Sequence, residues 1–573
     1  MVLFAPTAGL GEDRAGAAEP QNENLAPIEE AGGPDLDMAI DLPYELRDAT
    51  STSLLMQATQ KIIEATQIEI PPGAYPLRLM EVVEEALNKN LTLQAVDLNP
   101  DIVGTAIDGE LAAFDPVGFA KVSVSRDNIP SVGFLATGQI PGQGEGDGPT
   151  PTPSPLRVNR TWRTYKGVGN ADTGEPGLGV SRKFTSGLET TLQLIYGRSD
   201  SSVDFFQPFP ANYDTNVVLD VVQPLLRGYG PLVNLAPVRI AYNDKIVSEE
   251  NLRSFTNDLI AQAHILYWEL VFARVNLAIA QQSLALAADL LRENQIRYRY
   301  GDLIVVEVYE AEAGVKDREQ ILIQAENQFA NDMDNIRELL AANRNYKNWE
   351  ADMVPVHPAV FHPVVIDETL SLAIAMEKNP QIRISKLDIK NAQENQIIAR
   401  DAFKPQLDLF AQVRESGLGR TWGESHRELE SGDYGSWRVG IEYNMPLKRR
   451  REKANILASN LQNQQAKLTL EDIEQQVFYN HREAVRNIED LARAVEAAKA
   501  SVRAEKNRLE KQKISHEQGV TTSHDLLEVQ EAYAQAQVSE VGSITRYYTA
   551  LIELERIRGT LLDTLGFEFV TLE

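Results

Sequence analysis

The residue types that usually carry out chemistry are few in this chain and poorly spaced for it. His357 and His362 lie five residues apart in a proline-rich stretch, which is a poor spacing for a metal site. Gly142–Gly148 alternates glycine with other residues, but Pro/Thr repeats follow where a dinucleotide-binding loop would open a helix. The sequence contains no cysteine, nucleophile elbow, zinc-binding helix motif or phosphate loop. It therefore predicts no enzyme, no metal and no cofactor.

A run of four basic residues, Lys448, Arg449, Arg450 and Arg451, follows a predicted strand and opens a predicted helix. Four cations at a helix N-terminus oppose the helix dipole, which costs a little stability. We interpret the run as a contact with anionic lipid head groups or phosphates, and the alternative is a solvated charge run.

Composition restricts the class of protein. The net charge is −28, which makes the chain a poor nucleic-acid binder. We find no charge-free apolar run of about 18 residues, the length that marks a membrane-spanning helix. The candidate segment Leu259–Ala280 contains His264, Glu269 and Arg274, so we interpret it as a packed helix. A transmembrane β-barrel is not excluded, because its strands leave only weak signals.

Residues 1–70 form an acidic extension that contains Ala, Gly and Pro, and composition predicts a disordered tail or tether. The N-terminus shows no basic segment followed by a sustained apolar one, so no intact signal peptide is visible. We expect either a mature or truncated form, or a protein that is not exported.

A heptad pattern dominates the middle of the chain. Apolar residues recur there at alternating steps of four and three, at Leu266, Leu270, Ala273, Leu277, Ala280, Leu284, Ala287 and Leu291. This spacing predicts a helix that stays beside a partner helix over many turns. A break at Gly301 and a second apolar stripe predict a long helical hairpin over about residues 231–345.

Two segments on either side of residue 150 change from helical to alternating period. Ala120, Val122 and Val124 alternate with polar residues, and so do Leu188–Tyr196. Such alternation predicts strands with one wet and one dry face, within about residues 118–222. Gly138–Gly179, between them, is rich in Gly, Pro and Thr, and we expect a long exposed loop that faces outside.

The same order of elements occurs twice. Residues 71–350 form a first repeat, 351–364 a linker and 365–573 a second repeat, with strands over about 406–444 and a hairpin over about 448–566. Ala-Phe-x-Pro occurs at Ala113–Pro116 and Ala402–Pro405, and a Pro-Leu junction precedes each long helix, in Gln223–Leu225 and Asn444–Leu447. A Gly-x5-acid turn, Gly301–Glu307 and Gly519–Asp525, lies in each hairpin.

Four strands from two repeats cannot close a sheet, and the apolar stripes of two hairpins need further cover. Both needs are met if several chains assemble, so that strands close one barrel and hairpins one helical tube. An ordinary soluble sheet is the alternative for the strands.

The duplicated motifs resemble those of the TolC-type outer membrane efflux protein family, across about residues 72–567. The resemblance implies a mainly α fold with a β-barrel part, in which strand pairs and coiled-coil hairpins of a homotrimer form a twelve-stranded outer membrane barrel and a periplasmic α-helical tunnel. It also implies a channel that serves as exit duct of a tripartite efflux pump or type I secretion system. The implied partners are a periplasmic adaptor, an inner-membrane pump of the RND, ABC or MFS type, and outer membrane lipid, with no nucleic acid.

The resemblance also implies site residues at the hairpin tips. Asp525 and Glu528 match the acids that narrow the tunnel, and their spacing of three places both on one helical face. The alternative is a solvated helix start, where acids are favoured by the dipole.

Glu307 matches an acid that helps to latch the closed tip. The tyrosine and arginine partners of that acid fall at His516 and Thr521 here, so the arginine salt bridge is missing and a His516–Glu307 pair is its candidate substitute.

Gly301, Asp302, Gly519 and Val520 match the grooves where an adaptor docks, although plain turn chemistry also explains the glycines. A soluble or peripheral coiled-coil scaffold without a pore remains the alternative function, and detergent dependence separates the two.

Overall fold

The structure is a computed structural model, which describes residues 75–132, 158–168, 177–200, 211–340 and 353–564. Side chains are described for these residues except 123–132, 158–168, 199–200, 211 and 564. The acidic extension 1–70 and, within the predicted loop Gly138–Gly179, residues 138–157 and 169–176 lie outside the described residues.

The described chain divides into two compact units, and each contains segments of both sequence repeats. Of the described residues, unit 1 comprises 75–100, 246–340, 353–386 and 468–564, and unit 2 comprises 101–132, 158–168, 177–200, 211–245 and 387–467. Two of the long helices, Ala236–Tyr300 and Arg450–Glu517, contribute residues to both units, so the units are a different division of the chain from the two repeats.

Two long helical hairpins confirm the predicted class of fold. In the first, α5 (Ala236–Tyr300) is followed by α6 (Val305–Leu339), and in the second, α10 (Arg450–Glu517) is followed by α11 (Ser523–Arg558). The other helices are α1 (Leu79–Lys89), α2 (Leu91–Val96), α3 (Asn99–Leu111), α4 (Pro231–Asn234), α7 (Glu368–Lys378), α8 (Pro380–Ala402), α9 (Trp422–Ser431) and α12 (Leu561–Thr564).

The heptad stripe of α5 lies against other helices of unit 1, with four of its eight residues buried and four half-buried. Leu270, Ala273 and Ala287 are fully buried. Trp268, midway between the stripe residues Leu266 and Leu270, stacks on Tyr548 of α11 with ring centroids 4.4 Å apart. Burial of such large side chains supplies most of the stability of long helices, because propensity alone is weak.

One helix of the described residues, α5, is long and apolar enough to cross a membrane by length and composition. Helices buried in the cores of soluble proteins share this length and composition. Tyr267, Trp268 and His264 are each at most 1% exposed inside unit 1, so the segment Leu259–Ala280 is a packed helix, as predicted.

The duplication extends to individual hydrogen bonds in unit 1. The Asn90 amide, between α1 and α2, donates to the carbonyl oxygen of Leu339 at the end of α6 (3.2 Å). The Asn379 amide, between α7 and α8, donates to Ile557 near the end of α11 (2.9 Å). Each asparagine thus satisfies a carbonyl that a helix end leaves without an intrahelical partner. A two-stranded parallel sheet, β1 (Tyr75–Leu77) with β7 (Met353–Pro355), lies in the same unit.

Unit 2 is built on an antiparallel sheet. Its strands are β2 (Val117–Val132), β3 (Val158–Val168), β4 (Gly177–Lys183), β5 (Glu189–Asp200), β6 (Ala211–Pro224), β8 (Gln406–Gly419) and β9 (Ser436–Asn444). The order across the sheet is β3-β2-β4-β5-β6-β8-β9. The period-two segments are strands, as predicted.

The sheet has more strands than the four that alternation predicted. Part of the predicted loop, residues 158–168, is strand β3, and β4 begins at Gly177. Strands β3 and β4 pair with consecutive stretches of β2, since Val122 faces Val168 and Lys121 faces Gly177. Counted this way, β3 and β4 together form one strand position. The sheet therefore has six positions, namely β2, β3/β4, β5, β6, β8 and β9. The Gly/Pro-rich composition hid the extra hairpin, because short strands flanked by turn residues give little periodicity.

The helix α9, between β8 and β9, was also not predicted. It begins at the N-cap Thr421, whose hydroxyl oxygen accepts from the backbone N–H of Glu424 (3.3 Å), and ends at Gly432 with φ of 71°. Ten residues are too few for a reliable periodic signal in the sequence.

Candidate functional site

The turns of the two hairpins have the same backbone geometry. Gly301 (φ 84°) and Gly519 (φ 70°) adopt the left-handed conformation that ends many helices. Asp302 N–H donates to the carbonyl of Arg297, and Val520 N–H donates to that of Ser515, both at 3.0 Å. These six-to-one bonds define two equivalent helix ends, which explains why a glycine stands at each predicted break.

The surface around these turns is apolar and open. Tyr300 is 81% exposed and Val520 74% exposed, and Ile304 and Tyr309 are exposed beside them. A methyl group at Gly301 or Gly519 would meet no atom within 4 Å. Exposed apolar groups on a helix tip are typical of a protein-binding surface.

Three side chains meet at Ser523, the first residue of α11. The carboxylate of Glu307 accepts from the Ser523 backbone N–H (2.8 Å), and the Asn294 amide donates to the Ser523 hydroxyl (2.7 Å). The Nε2 atom of His516 lies 3.4 Å from the same hydroxyl. We call Asn294, Glu307, His516 and Ser523 the tip cluster. It joins helices α5, α6, α10 and α11 at the tip of unit 1.

Glu307 and His516, which the sequence suggested as a pair, therefore both contact Ser523, which lies between their side chains. His516 is 4% exposed, and burial, followed by the nearby Arg297, lowers its pKa. Asn294 and Ser523 were missed in the sequence, because an asparagine inside a helix and a serine at a helix start are both ordinary features.

Asp525 and Glu528 lie in the first two turns of α11. Asp525 forms a capping box with Thr522. The Asp525 carboxylate accepts hydrogen bonds from the Thr522 backbone N–H (3.0 Å) and hydroxyl (2.8 Å). The Thr522 hydroxyl holds the pKa of Asp525 below its usual value. The side chain of Glu528 is 64% exposed and lies 3.8 Å from Arg508 of α10. Asp525 therefore caps the N-terminus of α11, which is a structural role separate from the predicted gate.

A buried arginine ties the two hairpins together next to the tip cluster. Arg318 of α6 is 5% exposed, and it donates to the carbonyl oxygens of Gly314 (3.1 Å) and Leu527 (2.8 Å). A methyl group at Gly314 would lie 2.8 Å from the Leu527 side chain, so glycine permits this close approach. The tip therefore rests on a tightly packed contact between α6 and α11.

The sheet of unit 2 carries an apolar and a polar face. One row of paired residues runs across it through Val180, Leu192, Leu219, Val413 and Trp437. All five are exposed, from 40% for Leu219 to 78% for Trp437. Leu178, Leu409, Val439, Ile441 and Tyr443 extend this exposed apolar face. A soluble protein rarely leaves so large a sheet face uncovered.

The opposite face is mostly polar, with Ile195 and Val218 buried on it, and is hydrogen-bonded across the strands. The Gln412 amide donates to Asp220 (2.6 Å), and Arg438 donates to the Gln412 oxygen (3.1 Å). Gln193, on the same face, is 4% exposed. This arrangement reverses that of a soluble sheet, in which apolar residues are buried and polar residues are exposed.

The basic run at the start of α10 is only partly a free surface. Arg449 adopts φ of 45°, lies over the Phe403 ring at 4.8 Å and donates to the Phe403 carbonyl (3.4 Å). Arg182 donates likewise to the carbonyl of Phe114 (3.3 Å). The backbone carbonyl of the phenylalanine in each Ala-Phe-x-Pro motif thus accepts a hydrogen bond from an arginine. Lys448, Arg450 and Arg451 remain exposed.

His357 and His362, the two histidines of the proline-rich stretch, were considered as metal ligands in the sequence. His357 bonds through Nδ1 to the hydroxyl of Tyr267 and is buried in the core of unit 1. No group of three metal-binding side chains forms among the residues that the structure describes.

Comparison with known proteins supports the resemblance seen in the motifs. Residues 372–560 match the family described as outer membrane efflux protein. A search of curated proteins found no match to this sequence.

Solved outer membrane channels share the fold. The CmeC outer membrane channel of Campylobacter jejuni has 16% identity and a TM-score of 0.58, with 86% of each chain covered. VceC of Vibrio cholerae has 13% identity and a TM-score of 0.58, covering 84% of this chain and 96% of that one. The open state of the MtrE channel of Neisseria gonorrhoeae has 18% identity and a TM-score of 0.55, covering 87% and 96%. The chain therefore has the fold of the outer membrane channels and carries, in residues 372–560, the sequence of the outer membrane efflux protein family.

Proposed function

We propose that this chain is the subunit of a homotrimeric channel in the outer membrane, the exit duct of a tripartite efflux pump. The observation that carries the proposal is the reversed sheet of unit 2, with an exposed apolar face and a hydrogen-bonded polar face. Such a sheet is stable where lipid covers the first face and water the second. The channel is passive and performs no chemistry, and energy comes from an inner-membrane pump of the RND, ABC or MFS type. Type I secretion of proteins is the related use of the same duct.

The open edges of the sheet support the assembly of several copies. Strand β9 is exposed along its length and ends the strand order of the chain. Pairing of such edges between copies closes a barrel and removes the unpaired backbone groups. Strands of three chains then close one barrel, as the resemblance implies.

The periplasmic tip is the gate in this proposal. The tip cluster holds α11 to the first hairpin, and the Asp525 and Glu528 side chains of three copies form two stacked acidic rings. Adaptor contact at Gly301, Asp302, Gly519 and Val520 separates the hairpins and widens the rings. The exposed apolar groups around both turns supply the docking surface.

The experiment compares one substitution on each face of the sheet. Val439→Lys places a cation on the apolar face, and Gln412→Lys, on the neighbouring strand, places one on the polar face. A charge on a lipid-facing site costs about 2–4 kcal/mol at the bilayer midplane, whereas a lumen site tolerates it.

We expect the protein to fractionate with outer membranes and to migrate as a heat-resistant trimer in mild detergent. Val439→Lys should lose most of the trimer, while Gln412→Lys keeps it and changes ion selectivity in planar bilayers. A water-soluble, non-conducting protein that tolerates both substitutions equally would instead be the coiled-coil scaffold.

A further inference from the structure

The helix α9 is docked firmly on one face of the sheet. The hydroxyl of Ser425 bonds to that of Thr215 on β6 (2.9 Å) and to the carbonyl of Gly417 on β8 (2.9 Å). A methyl group at Gly417 or Gly419 would collide with the backbone of Ser425. Glycines at these two positions therefore permit direct contact between the helix backbone and the strand.

Aromatic rings extend this contact along the sheet. The Trp422 ring lies 4.9 Å from Tyr213 and 5.5 Å from Tyr196, edge to face in both cases. The His426 ring stacks on Tyr196 at 6.0 Å. We call Tyr196, Tyr213, Trp422 and His426 the ring cluster.

The register places α9 on the apolar face. Gly417 and Thr215 are paired with each other, and Gly417 stands four residues beyond Val413 on β8. Because side chains alternate along a strand, Gly417 and Val413 point to the same face. The helix thus covers one end of the face that exposes Leu219, Val413 and Trp437.

The outer side of α9 is charged. Glu424, Arg427 and Glu430 are exposed, whereas Ser425 is fully buried against the sheet. Charged groups on that side are costly inside hydrocarbon, while Trp and Tyr rings are enriched where hydrocarbon meets the head groups. The helix accordingly combines a ring-rich side toward the sheet with a side that needs water or polar head groups.

We propose that α9 lies in the head-group layer at the outer rim of the barrel and marks the upper limit of its lipid-facing surface. This inference rests on the proposed channel function. From Gly417 to Leu409 the strand covers eight residues, about 27 Å. At a strand tilt of about 40°, this corresponds to about 20 Å across the membrane, which is most of the apolar band of about 25 Å in outer membrane barrels.

Single cysteines test this placement, because the chain has no cysteine of its own. Nitroxide labels go on Glu424→Cys of α9, Val439→Cys of the apolar face, Arg438→Cys of the polar face and Glu510→Cys on the exposed side of α10. The protein is reconstituted in phosphatidylcholine vesicles that contain a lipid with a nickel-chelating head group. Relaxation by this nickel and by dissolved oxygen is measured for each label.

We expect head-group nickel to relax the label at 424 at least fivefold more strongly than the label at 510, and oxygen to dominate at 439. Equal relaxation at 424 and 510 would place α9 in bulk water, and a 424 label that behaves like the 439 label would place it in hydrocarbon. Either result overturns the inference alone. Labels at 438 and 439 that respond alike would overturn the channel function itself.

A pair of glycine substitutions provides a second test. Gly417→Ala should displace α9 and lower the nickel effect at 424 by at least twofold. Gly423→Ala, on the helix itself, meets no atom within 4 Å and should leave it unchanged. If Gly417→Ala fails to assemble, Ser425→Ala removes the two hydroxyl bonds with less disturbance. The nickel effect at 424 is measured in the variant that assembles. If it equals that of the parent protein, the docked position of α9 is contradicted.

Discussion

Removal of the Glu307 carboxylate should loosen the hairpin tip. Its oxygen accepts the backbone N–H of Ser523 at 2.8 Å and so fastens the first turn of α11 to α6. A hydrogen bond to a charged group contributes about 1.5–3 kcal/mol net. If this bond is present only while the tip is closed, its loss raises the open-to-closed ratio by about 10- to 150-fold per subunit.

The substitution Glu307→Ala removes the acceptor, and Glu307→Gln keeps an acceptor without the charge. We expect a higher open fraction for both in single-channel recordings, with the alanine variant changed more. Hydrogen exchange at the start of α11 should accelerate in the same order. Glu310→Gln, on the next turn of α6, removes one negative charge without touching the tip cluster and serves as control.

A change of less than twofold in the open fraction of Glu307→Ala would refute this role for the bond. Equal effects of Glu307→Ala and Glu310→Gln would show that net charge near the tip, and not the contact with Ser523, controls opening.

Replacing both Asp525 and Glu528 with alanine should lower cation preference in planar bilayers, and unchanged selectivity would remove them from the gate. Gly519→Ala should cost about 1 kcal/mol, read as a lower melting temperature, because its φ of 70° is unfavourable for a side chain. Burial lowers the pKa of His264 to about 4. The unfolded chain therefore takes up the proton first, and stability present above pH 6.5 falls by up to about 3 kcal/mol as the pH drops to 4. His264→Met should flatten that dependence in pH-resolved melting.

Each of these predictions has a control in the same chain. Gly109→Ala lies in a helix with no atom within 4 Å and should stabilise by about 0.5–1 kcal/mol, opposite in sign to Gly519→Ala. Exposed His524→Gln should leave the acid dependence unchanged. Thr522→Ala breaks the capping box while both acids stay, so it separates loss of the helix cap from loss of charge. If His264→Met loses stability on acidification as steeply as the parent, the buried imidazole is not the cause.

Regular periodicity made much of the fold predictable. The seam of Leu270, Ala273 and Ala287 indicated a long paired helix, and the structure buries all three. The turn glycines Gly301 and Gly519 were predictable because few other residues adopt a positive φ without strain. These features depend on neighbours within one helix or strand, so the sequence displays them directly.

The tip cluster and α9 were not predictable in the same way. Ser523 becomes important because Asn294 and Glu307 reach it from positions 229 and 216 residues away in the chain. No local pattern marks such a meeting. Likewise, in the sequence the glycines at 417 and 419 indicate only a weak strand end. The structure shows that they make room for the backbone of α9.

The sequence by itself determined the duplicated order of elements, the long hairpins and the two-faced strands, because each follows from the spacing of apolar residues along one element. Only the tertiary structure decided the number of strands, the side of the sheet that α9 covers and the side chains that gather at Ser523. Those depend on distances between segments far apart in the chain, which the packing of the whole molecule sets.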